Sequence, residues 1–124
     1  MNPRKILVAD HSKMMHKMYE LILRQYRIVY ADDGRQALER LRDHADVDLV
    51  LLDLSISVPG MTMVELLEEL RGLRPAAPTI VAVTTDGHEA DVVSALDNGA
   101  AAYIKKPFHA EELNDVIDRL PTSA

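Results

Sequence analysis

Polar residues able to do chemistry stand at the ends of apolar runs in this chain. The run KILVA is followed at once by Asp10 and His11, and LVLLD closes on Asp53. IVAVTT closes on Thr84 and Thr85, and AYIKKPF carries Lys105 and Lys106 just before Pro107. Taken singly, each reads as a solvated strand end. As a set they supply two carboxylates, an imidazole, hydroxyls and an ammonium. That set offers a carboxylate nucleophile, a cation site and two groups able to hold a phosphate. A further run, RIVYA, ends in ADDG, whose Asp32–Gly34 reads as turn chemistry.

Such residues act together only if the fold delivers them to one rim. KILVA, RIVYA, DLVLLD, TIVAVTT and AAYIKK are short and aliphatic or β-branched, and more often continuously apolar than alternating. That is the pattern of strands covered on both faces. Helical spacing fills the intervals: Met14, Met18, Leu21, Ile22 and Gln25, then Ala37, Leu38 and Leu41, then Val64, Leu67 and Leu70. Val92, Val93 and Leu96 mark a fourth helix, and Leu113, Val116, Ile117 and Leu120 a fifth. The punctuation agrees. Ser12 is placed to cap the first helix, and Thr62 with Glu65 reads as a capping box before the third. RPAAP separates the third helix from the fourth strand, and DNGA fits a helix ending on a left-handed Gly99. The expected fold is α/β, a doubly wound five-stranded parallel sheet with right-handed crossovers. In such sheets polar chemistry gathers beyond the carboxyl ends of the strands, where Asp10, Asp53, Thr84 and Lys106 fall.

Composition narrows the function. One domain is expected over residues 1–124, with PTSA at 121–124 as a tail or the start of a linker. There is no cysteine, hence no disulfide, thiol nucleophile or cysteine-based zinc site. Ile6–Ala9 is too short for a signal peptide and no stretch approaches a membrane span, so a cytoplasmic protein is expected. The net charge of −6 argues against direct nucleic-acid binding, and one Phe with no Trp leaves few platforms for stacking bases.

The chain resembles the receiver domain of bacterial two-component response regulators over essentially its whole length. ILVADHS resembles the family's first strand with its acidic pair, YADDGRQAL the segment into its second helix, and DLVLLDL its phosphoacceptor strand. PGMTMVELLEELR, VAVTT and GAAAYIKKPF resemble the third helix and the fourth and fifth strands, the last with the most specific motif. The resemblance implies a flavodoxin-like (βα)5 fold with strand order 2-1-3-4-5. It implies that Asp53 takes a phosphoryl group from a histidine kinase or phosphotransfer protein, that Lys106 pairs with the phosphoryl oxygens, and that Thr84 donates its hydroxyl and moves. Tyr103 is then the aromatic reporter that swings inward as Thr84 vacates space. Mg2+ is held by Asp10, Asp53 and the Ser55 backbone carbonyl, with His11 or a water in place of a second acid. The resemblance implies a domain that, if competent, catalyses only its own phosphorylation and dephosphorylation. It also implies a signalling face made of the fourth helix, fifth strand and fifth helix, which would meet a downstream protein or a fused output domain and offer a route to dimers.

The chain departs from that pattern in three places. His11 stands where the family usually has a second acid, and imidazole suits zinc, copper or nickel better than Mg2+. Weaker Mg2+ binding is expected, and no second histidine is placed beside His11 by the sequence. His16, His44, His88 and His109 read as surface residues. The loop DLSISVPG puts Pro59 six residues after Asp53, where four is usual. Thr85 replaces a common Ala or Gly, while Ser55 and Asp86 resemble positions that tune dephosphorylation. The alternative reading is a pseudo-receiver, an interaction module without phosphoryl chemistry. A flavin role lacks a phosphate-binding loop in DHSKMMHKM, and a phosphatase lacks a second Asp in DLSIS.

Overall fold

Strands buried on both faces need unbroken apolar runs, and the central strands have them between their polar ends. The computed structural model describes residues 4–120. Its elements alternate: β1 Lys5–Ala9, α1 Lys13–Ile22, β2 Arg27–Ala31, α2 Gly34–Asp43, β3 Leu49–Asp53, α3 Met63–Gly72, β4 Thr79–Thr84, α4 Glu89–Asp97, β5 Ala102–Lys105 and α5 Ala110–Arg119. The strands pair in parallel in the order β2-β1-β3-β4-β5, the flavodoxin-like arrangement expected from the sequence. The tail expected at 121–124 lies outside the described residues.

Alternate residues of the same strands feed two cores. Leu7, Val50, Leu52, Ile80 and Ala82 pack with Leu41, Leu66, Leu67 and Leu70 of α2 and α3. Ile6, Val8, Leu49, Leu51, Val81 and Val83 pack on the other face with Tyr19, Leu23, Leu113 and Ile117. The helix ends are fixed by the expected residues. Ser12 accepts from the Met15 amide, and Thr62 and Glu65 form both bonds of a capping box. Gly99 has φ +110, the left-handed conformation at the end of α4. Asp32–Gly34 leads into α2, with Asp33 as its cap, the carboxylate accepting from the Gln36 amide at 2.8 Å.

The inward face of α1 differs from the expectation. Met14, Met18 and Leu21 are 73%, 40% and 68% exposed, and Gln25 lies beyond the helix. His16, Tyr19 and Leu23 are buried instead. His16 is therefore not a surface residue: its ring stacks on Tyr30 at 4.7 Å, and its Nε2 lies 2.5 Å from the Asp10 carbonyl oxygen. Ring area and one satisfied nitrogen let a polar residue type take an inward position. His11, His88 and His109 are exposed.

The long loop after β3 closes on itself. Val58 and Met61 form an antiparallel bridge around Pro59 and Gly60, and Gly60 has φ +79, as a turn with Pro then Gly requires. Val58 lies over Gly34, where an added Cβ would come within 2.4 Å of its Cγ2 and 3.1 Å of Leu66. The loop is thus seated on the first turn of α2. Among the described residues no helix is long and apolar enough to cross a membrane.

Candidate functional site

Four strands converge on one cluster. Asp10 follows β1 and is 1% exposed; Asp53 ends β3 and is 5% exposed. The two carboxylates are held in the same way. One oxygen of each accepts from the amide two residues on, Ser12 to Asp10 Oδ1 and Ser55 to Asp53 Oδ1, both at 2.8 Å. These are turns closed by an Asp side chain. The Ser55 hydroxyl adds a second bond to Asp53 Oδ1 at 2.7 Å. The other oxygens, Oδ2 of Asp10 and of Asp53, both accept from the Lys106 ammonium, at 2.7 and 2.9 Å. The Lys106 backbone is held to the end of β4, its amide donating to the Thr84 carbonyl at 2.6 Å.

Burial pushes the Asp53 carboxyl up, but the bonds from Lys106 and Ser55 and the Lys106 charge together hold it below the usual carboxylate range. Burial likewise opposes the Lys106 charge, and its bonds to Asp10 and Asp53 overcome that and raise its pKa. Asp53 is thus an anion next to a fixed cation. It borders a cleft of about 330 Å³ lined also by His11, Thr84, Thr85, His88, Asp91 and Lys106. A larger groove of about 770 Å³ between α1 and β2 shares none of the four rim residues. Thr84 is buried, and its hydroxyl donates only a long 3.3 Å bond to the Thr85 carbonyl, which leaves it able to turn.

Ligand atoms of Asp10, His11 and Asp53 all lie within 4.8 Å of one another. The two carboxylates are hard donors of the kind Mg2+ takes, and the imidazole is not. Tyr103 is 51% exposed and lines, with Thr84, Val92 and Leu96, an adjoining apolar cavity of about 270 Å³. Asp86 lies outside the cluster and pairs with Lys105 at 2.8 Å.

The structure therefore brings Asp10, His11, Asp53, Ser55, Thr84 and Lys106 together and leaves Tyr103 outward. Sequence reasoning missed the serines as orienting groups and His16 as the residue on the Asp10 carbonyl. It also missed His88 and Asp91 at the cleft wall. A signal for the serines was present: Asp-x-Ser occurs at both strand ends, DHS and DLS.

A doubly wound sheet with this rim defines a class, and comparison with known proteins agrees. The family model for the response regulator receiver domain matches residues 6–118, and the chain belongs to that family, the receiver domains of two-component signalling. It is 36% identical over 111 residues to the nitrate/nitrite response regulator NarL of Escherichia coli, covering 87% of this chain and 50% of that protein. It is 33% identical over 116 residues to the two-component response regulator PhoP of Pseudomonas aeruginosa, covering 93% and 50%. The chain spans about half the length of these relatives. Among solved structures, the receiver domain of NtrX from Brucella abortus superposes with a TM-score of 0.81 at 30% identity, covering 92% of this chain and 95% of that one.

Proposed function

We propose that this receiver domain accepts a phosphoryl group on Asp53 and passes the change to its α4–β5–α5 face. The observation that supports it best is the Lys106 ammonium bonded to both Asp10 and Asp53 at the mouth of an open cleft. An Asp53 oxygen forms the new bond to phosphorus while the P–N bond of a phosphohistidine on a kinase or phosphotransfer protein breaks, and that histidine leaves as imidazole, its freed nitrogen taking a proton. The approach brings anion to anion, so its barrier is electrostatic. Lys106 supplies one fixed positive charge. The Thr84 hydroxyl, held by one long bond, can turn to donate to the arriving oxygens. Asp10, Asp53 and the Ser55 backbone carbonyl are the groups that would hold Mg2+, which supplies further charge neutralisation when bound. The domain acts as a catalyst only on itself. Its partners are a phosphoryl donor protein and a downstream protein or output domain, with self-association through the α4–β5–α5 face as one way to read out the switch.

Incubation with acetyl phosphate and Mg2+ followed by intact-mass analysis tests this. One added phosphoryl group, lost in Asp53→Asn, is expected. Labelling that persists in Asp53→Asn would place the acceptor elsewhere. One observation favours a second reading: His11 removes an acidic ligand from the cation site, which suits an interaction module without phosphoryl chemistry. No labelling with any divalent ion would select that reading.

A further inference from the structure

The rim carries less negative charge than its geometry could accommodate. Asp10 and Asp53 contribute two negative charges and Lys106 returns one positive charge. A carboxylate at position 11 would add a third negative charge; His11 adds a nitrogen donor instead. For a hard, strongly hydrated ion this exchange is a loss, because charge count drives its binding and imidazole offers it little. For a first-row transition ion it is a gain, because imidazole is among its preferred donors. The placement permits inner-sphere contact. The His11 nitrogen and the two carboxylates lie within 4.8 Å of one another, and an ion with bonds of about 2.1 Å holds its donors up to about 4.2 Å apart. His11 is exposed on the turn after β1, so its ring can close that gap by rotation while Asp10 and Asp53 stay fixed by Ser12 and Ser55.

We propose that His11 tunes this cation site toward a borderline divalent transition ion, of the Co2+, Ni2+ or Zn2+ kind, at the expense of Mg2+. The inference rests on the reading that a divalent cation joins Asp10 and Asp53 at this rim. His88 borders the same cleft and lies 3.3 Å from Asp91; it is the other imidazole that could bind such an ion and serves as the control.

The test titrates Mg2+ and Co2+ separately into the domain and into His11→Asp, His11→Ala and His88→Ala, by calorimetry and by the visible absorption of bound Co2+. Because His11 is exposed, these variants should keep the thermal midpoint of the parent, which is measured alongside. His11→Asp is expected to move the Co2+-to-Mg2+ affinity ratio toward Mg2+ by about tenfold or more. His11→Ala should lose the Co2+ spectrum and His88→Ala should keep it. An unchanged ratio in His11→Asp, or a Co2+ spectrum that follows His88, overturns the proposal. The two readings fail separately. A His11-dependent Co2+ site without phosphoryl labelling of Asp53 upholds this inference and ends the phosphoacceptor reading. Labelling of Asp53 with metal preference indifferent to His11 does the reverse.

Discussion

Two neighbouring regions of this domain are built to opposite specifications. At the carboxyl rim of β1, β3 and β5, both oxygens of Asp10 and of Asp53 are bonded, and Lys106 ties the two together. On the face of α4 and β5, Val93, Leu96 and Tyr103 are 58%, 39% and 51% exposed. The first turn of α4 has no side-chain cap. A fully bonded buried cluster resists rearrangement, whereas an uncapped helix with few buried contacts sits at the low end of local stability. The contrast suits the proposed switch, in which charge would change where the structure is stiff and the response would fall where it is soft.

The largest test of that contrast removes the acceptor. Asp53→Asn should abolish phosphoryl labelling while α4 and Tyr103 keep their resting NMR shifts. Next in size is Lys106→Met. It leaves Asp10 and Asp53 facing each other at 1% and 5% exposure without their cation, and should cost roughly 3 kcal/mol in urea unfolding at neutral pH. Its pH profile should change as well. The lowered Asp53 pKa stabilises the fold above the unfolded carboxylate pKa, and that contribution is lost as pH falls through the folded value. The raised Lys106 pKa stabilises the fold below the ordinary lysine range, and that contribution is lost as pH rises through the folded value. Both flanks should flatten in Lys106→Met; an unaltered acid limb would show that the ion pair does not stabilise the rim.

Gly34→Ala probes stiffness at the loop after β3. The new Cβ would meet Val58 at 2.4 Å, and about 1–3 kcal/mol of destabilisation is expected, with part of it recovered in Gly34→Ala/Val58→Ala. Full stability in the single variant would mean that the loop after β3 lifts freely. A smaller effect is expected from Ser55→Ala, which removes one of the bonds to Asp53 Oδ1. It should cost about 1 kcal/mol and move the Asp53 carboxyl upward, readable by NMR titration. Smallest in energy but most informative is beryllofluoride added with Mg2+. Shifts should spread from Asp53 to Thr84, Tyr103 and α4. Shifts confined to the strand ends would make the domain a phosphoryl acceptor without a switch.

The fold was legible because strands buried on both faces leave unbroken apolar runs, and Asp10, Asp53, Thr84 and Lys106 were legible because those runs stop at them. What failed was the face of α1. Met14, Met18 and Leu21 make an apolar stripe at helical spacing, yet they are exposed, and His16 and Tyr19 take the inward positions. Periodicity ranks side chains by polarity, whereas packing used ring area and one backbone carbonyl to bury His16. The orienting bonds from Ser12 and Ser55 are local, so their Asp-x-Ser signal was readable. The bridge from Lys106 to both carboxylates spans 96 and 53 residues, and no local pattern could have indicated it.

That bridge has an entropic side. A lysine ammonium carries three hydrogens, and at Lys106 two are engaged by Asp10 and Asp53. Immobilising a free lysine side chain costs about 1.5–2 kcal/mol. Here Asp10 and Asp53 have already immobilised it in the resting fold. An anion entering the cleft therefore meets a cation that has no freedom left to lose, with one hydrogen still to give.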